Sequence, residues 1–157
     1  MRIRSFRFVA AAIQLFAMFF PTLAEAVIAL DVTAQSNLVF GQVVATSTSG
    51  TVTVSPTGGR TQSGGAVLAN GFGVSAASFA VTGEPNTSYS ITLPSSCTLS
   101  GGGGSLTVDG FTSSPNGTGM LGPGGTQSVT LGATLHVGSG QRSAAYSGTY
   151  AITLAYN

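Results

Sequence analysis

Charge is what this sequence lacks most. Only 6% of its 157 residues are charged, against roughly a quarter in soluble globular chains. Lysine is absent, and five arginines face four carboxylates. A chain without a basic stripe has nothing to neutralise phosphates, so nucleic-acid binding is excluded as a class. A single cysteine, Cys97, excludes a disulfide scaffold. The single histidine, His136, has no ligand-spaced partner, and Asp31, Glu84 and Asp109 lie far apart in sequence. Metal ligation and general acid–base catalysis both need such groups gathered together. No catalytic residue, metal site or cofactor is therefore assigned, and no enzyme is expected. Hydrophobic residues make up 43% of the chain, too many for a charged disordered tail.

The amino terminus reads as an address. Arg2, Arg4 and Arg7 precede an apolar run from Phe8 to Phe20, broken only by Gln14 and ended by Pro21. Ala24-Glu25-Ala26 then puts small residues where a signal peptidase reads them. The run is shorter than the roughly 20 residues a spanning helix needs. Residues 1–26 are expected to be a cleaved signal peptide, which makes the protein exported. The remainder keeps Arg60 and Arg142 against Asp31, Glu84 and Asp109. Cys97 reads as a small buried apolar residue, with an intermolecular disulfide or free thiol as the alternative.

From residue 27 onward the apolar residues alternate with a period of two. The pattern is clear at Ile28, Leu30 and Val32, at Val52 and Val54, at Phe79 and Val81, and at Tyr89, Ile91 and Leu93. It continues at Leu106 and Val108, from Val129 to Val137, and at Tyr150, Ile152, Leu154 and Tyr156. Such alternation marks strands with one packed and one solvated face. Clusters such as Gly83-Glu84-Pro85-Asn86 and Pro115-Asn116-Gly117 punctuate the strands. The run Gly101 to Gly104 reads as a flexible loop, since a phosphate loop would need a following lysine or helix start. His136 falls on the face opposite the apolar set. Arg60 and Arg142 beside glycine-rich segments leave two options, pairing with a carboxylate or exposure in a loop. The expected fold is an all-β sandwich. Most strands are expected to run five or six residues, too short for a transmembrane barrel, so no stable membrane span is expected after residue 26.

Soluble β-proteins protect open sheet edges with lysine or charge, and this chain has almost none. Its edges are expected to be covered within the fold or to pair with another chain.

Several blocks carry a resemblance. They include Leu38-Val39-Phe40-Gly41, Arg60 with Ser63-Gly64-Gly65, and Ala77-Ser78-Phe79-Ala80-Val81-Thr82-Gly83. They continue with Tyr89-Ser90-Ile91-Thr92-Leu93-Pro94, Gly132 to Gly138, and Tyr146-Ser147-Gly148-Thr149-Tyr150. Together they resemble a bacterial secreted family known only by a domain-of-unknown-function label, the DUF4402 type. That family is similar to spore coat protein U domains and to archaic chaperone–usher pilin subunits. The resemblance implies an immunoglobulin-like sandwich left incomplete and finished by a donor strand. It implies that residues 27–37 form an N-terminal extension ahead of a sandwich domain at 38–157. Ile28, Leu30 and Val32 are then the plugs of a donor strand. Tyr150, Ile152, Leu154 and Tyr156 belong to the last strand, which receives a strand from another copy. Implied partners are copies of the chain itself, joined head to tail, with a periplasmic chaperone and an outer-membrane usher. The implied location is the periplasm in transit, then the cell surface or beyond. The alternative function is a monomeric secreted or surface adhesin or carbohydrate-binding module.

Overall fold

A computed structural model describes residues 28–157. The signal-peptide reading of residues 1–26 lies outside the described residues. Those residues form strands and no helix, so no helix is long and apolar enough to cross a membrane. In chain order the strands are β1 (Asp31–Ser36), β2 (Val43–Val44), β3 (Gly50–Val54), β4 (Arg60–Gly64), β5 (Val67–Leu68), β6 (Ala77–Thr82) and β7 (Ser88–Thr92). They continue with β8 (Ser96–Gly101), β9 (Gly104–Ser114), β10 (Thr118–Met120), β11 (Thr126–Val137), β12 (Tyr146–Ser147) and β13 (Thr153–Tyr156).

β11 is the spine of the large sheet. Its side chains Val129, Leu131, Ala133, Leu135 and Val137 are buried while Ser128 and His136 face solvent. This is the face assignment that the alternation implies. One edge of β11 pairs with β9. Its other edge pairs first with β6, up to Leu131, and then with β3, from Ala133. Gly132 marks the changeover. A Cβ there would collide with the Val54 carbonyl and the Ser55–Pro56 backbone. β1 extends the sheet beyond β6, while β8 and β12 extend it beyond β9.

Two small sheets form the facing layer, β10-β7-β13 and β2-β5. The β2-β5 pair covers a cluster that includes Val52, Val54, Val108 and Leu135. The β10-β7-β13 sheet covers a second cluster of Val81, Tyr89, Ile91, Leu121 and Val129. The result is an antiparallel β-sandwich, as the periodicity implies. Arg60 on β4 holds the smaller sheet in place. Its guanidinium donates to the carbonyls of Phe40 at 3.0 Å, Gln42 at 3.4 Å and Ala69 at 3.0 Å. Neither sequence option for Arg60 holds, because it pairs with backbone carbonyls. Arg142 is exposed.

Two further expectations are corrected. β9 and β11 run 11 and 12 residues, not five or six. β9 carries a bulge in which Gly110 and Phe111 together oppose Ala133 alone. Gly110 adopts φ 57°, a conformation glycine enters without a Cβ penalty. The extra residue shifts the parity, so Leu106, Val108, Phe111 and Ser113 all turn inward, and simple alternation ends at Asp109. The glycine run is also not a loose loop. Gly101 and Gly104 pair as the last rung of the β8-β9 hairpin, leaving Gly102 and Gly103 at its tip.

Candidate assembly site: an open groove between the first and last strands

The carboxyl-terminal segment changes layers. At β12 it pairs with β8 of the large sheet, and at β13 with β7 of the facing sheet. Between them, Thr149–Ile152 have no strand partner and no backbone–backbone hydrogen bond among the described residues. Unpaired main-chain donors and acceptors on an extended segment are a template for another strand.

A groove of about 230 Å³ lies between this segment and β1. Its walls include Ala34 and Ser36 on one side and Thr149, Tyr150 and Ile152 on the other, with Phe79 of β6 between them. Tyr150 is anchored by its ring, which packs against Phe111 with centroids 5.4 Å apart and a 43° tilt. Burial pushes the Tyr150 hydroxyl above its ordinary pKa, and the neighbouring Cys97 thiol adds to the shift. The groove lining is uncharged, with Phe79, Tyr150 and Ile152 as its large apolar members.

Of the last-strand residues named from sequence, Leu154 and Tyr156 lie in β13, whereas Tyr150 and Ile152 precede it in the unpaired segment. Leu154 and Tyr156 pack against the second cluster, and Tyr150 and Ile152 line the groove. The N-terminal residues do not fill that groove in their own chain. Asp31–Ser36 instead pair antiparallel with β6, from Asp31 opposite Thr82 to Ser36 opposite Ser78. Residues 31–36 are thus integrated into the sheet rather than standing ahead of it. Leu30 packs against the second cluster, but Ile28 stays 54% exposed and Val32 36% exposed. All six β1 residues are exposed, so the strand is held mainly by its ladder.

Residues missed from sequence include Glu84 and Phe111. Glu84 reads as a turn residue, yet its backbone N–H donates to Tyr156 Oη at 2.7 Å. Phe111 follows the bulge and lies outside any alternating run. Neither carries a local signal, because both act through long-range contacts.

The chain's family model matches residues 30–156, under the description "Domain of unknown function (DUF4402)". This chain belongs to the DUF4402 family. No curated protein and no solved structure matches it.

Other chemistry in this DUF4402 domain is sparse. His136 Nε2 lies 2.7 Å from Asp109 Oδ1 on the outer sheet face, with both side chains nearly half exposed. Among the described residues no group of three or more His, Cys, Asp or Glu could hold a metal. Cys97 is half-buried against the first cluster, and burial raises its thiol pKa. A suppressed thiolate makes a poor nucleophile, which favours the small-apolar reading of this residue.

Proposed function

We propose that this protein is an exported structural subunit that assembles head to tail by strand donation into a bacterial surface fibre. The observation that carries the reading is the open groove along Thr149–Ile152, in a chain whose own N-terminal segment leaves Ile28 and Val32 in solvent. An apolar strand laid along that edge gains main-chain hydrogen bonds and buries alternate side chains. Head-to-tail donation repeats without closing, which makes a fibre rather than a dimer.

Strand order supports an immunoglobulin-like, pilin-like frame. Immunoglobulin sandwiches set strands A, B, E and D in one sheet and C, F and G in the other. Here β1, β6, β11 and β9 are neighbours in one sheet, and β7 and β13 are neighbours in the other. On this proposal they correspond, in sequence order, to A, B, E and D, then C and F. No described strand stands at the position of G, beside the free edge of β13. A second copy's N-terminal strand is the occupant assigned to that position. A periplasmic chaperone and an outer-membrane usher belong to the same reading.

The test is electrophoresis of material taken from its native surface, unheated and heated, with and without reductant. A ladder of multiples that collapses only on heating is the expected outcome. A monomer under every condition refutes stable exchange, and a dimer lost only with reductant assigns association to Cys97.

A second reading, a carbohydrate-binding module, draws on an open depression of about 400 Å³ lined by Ser49, Thr51, Ser63 and His136. Its hydroxyls and the His136 imidazole suit sugar hydroxyls. Retention on a glycan array that is lost with Ser63→Ala and His136→Ala would put this reading first.

A further inference from the structure

Within its own chain, the start of the N-terminal strand is held at one point more firmly than its surroundings require. Tyr156 Oη donates to the Ile28 carbonyl at 2.8 Å. The same oxygen accepts from Glu84 N–H at 2.7 Å. The Ile28 N–H in turn donates to Glu84 Oε2 at 3.3 Å. Residue 28 is thereby gripped through both its main-chain groups, by a side chain of the last strand and by one of the β6–β7 turn. Gly83 makes the grip possible. The space its Cβ would fill is taken by Tyr156 Oη and by the Leu30 and Leu121 methyl groups, each of the latter 3.1 Å from that point. Leu30 then packs against the second cluster beside Tyr156.

This grip contrasts with the rest of the strand. β1 is exposed at every position, and its register on β6 slips between Ala34 and Ser36. Few apolar contacts and exposed ladder bonds characterise a segment that opens locally at low cost. Such a strand would fray from its free end unless that end were fixed.

We propose that Tyr156, Glu84 and Leu30 form a clasp that holds the N-terminal strand in its own chain and sets how readily that strand is released to a second copy. The release role rests on the strand-donation reading; the clasp itself does not. The contact is made to the carbonyl and amide of residue 28, not to its side chain. It also occupies Tyr156, the end of the edge that a donated strand would follow. Withdrawal of the strand therefore also frees the Tyr156 hydroxyl at the end of that edge.

The test compares the full chain with Tyr156→Phe. Phenylalanine keeps the ring packed in the second cluster and removes only the hydroxyl. Amide hydrogen exchange of the monomer is read by peptide, and assembly is followed by light scattering of the same samples. Exchange over residues 28–33 is expected to rise about tenfold, the size expected from losing one or two hydrogen bonds. Peptides of β7, β9 and β11 are expected to exchange as before, which separates a released clasp from general destabilisation. Leu30→Ala is expected to raise exchange over the same residues. Where the parent chain polymerises, Tyr156→Phe is expected to do so several-fold faster. Faster exchange with no polymer from either protein keeps the clasp and removes the fibre reading. Unchanged exchange over residues 28–33 overturns the clasp whatever assembly does. Faster exchange with slower polymerisation overturns the release role.

Discussion

The double substitution Ile28→Asp with Val32→Asp separates the isolated domain from its assembly more sharply than any other change. Ile28 and Val32 are 54% and 36% exposed within the chain, so the monomer has little to lose. Exposed substitutions usually shift stability by under about 0.5 kcal/mol each, and the poor strand propensity of Asp raises the total to about 1 kcal/mol. In a donated strand both side chains would face groove walls such as Phe79 and Ile152. Burying their remaining apolar surface is worth about 2 kcal/mol together. A carboxylate forced into either position costs several kcal/mol more. A combined loss of at least about 4 kcal/mol weakens each junction roughly a thousandfold. Leu30 is left intact because it already packs against the second cluster. Sedimentation velocity reads the assembly, and urea denaturation of the monomer reads the control. Polymer formation at the parental level would refute donation by this strand. A monomer destabilised by several kcal/mol would refute the view that β1 contributes little packing.

Three other outcomes follow from the same geometry. Gly132→Ala pushes a methyl into the Val54 carbonyl and the Pro56 backbone, so unfolding free energy should drop by about 3 kcal/mol in urea titration. Arg60→Met leaves the Phe40, Gln42 and Ala69 carbonyls without their donor; a loss of about 2–3 kcal/mol is expected, with exchange rising first in β2 and β5. Burial raises the pKa of Tyr89, Cys97 and Tyr150 in the folded chain. The unfolded chain therefore loses these protons first, near pH about 8.5 for the thiol and about 10 for the phenols. Their stabilisation is fully present below those values and is lost as pH rises through the higher folded ones. Denaturation midpoints should fall between pH 8 and 11, and less steeply in Tyr150→Phe.

The strands were legible where a single face is buried along an uninterrupted run. Val129 to Val137 kept its parity, so both its strand character and the outward placement of His136 could be read from sequence. β9 could be read only as far as Asp109, because a bulge reverses parity and alternation cannot signal it. The glycines from 101 to 104 looked like a loop because composition does not distinguish a hairpin tip from a slack connection. Arg60 was ambiguous for a related reason. Its partners are main-chain carbonyls, which every residue has and no motif announces.

The sequence by itself determined the class of this protein. Period-two alternation, frequent glycine turns and the near absence of charge specify an all-β chain with undefended edges, since each follows from local chemistry. Only tertiary structure decided which edges stay open and what the two termini do. The Thr149–Ile152 gap, the Phe79 wall and the Tyr156–Ile28 contact join residues as much as 128 positions apart. Such contacts arise from how two layers overlap, and side-chain periodicity along a strand carries no record of that overlap.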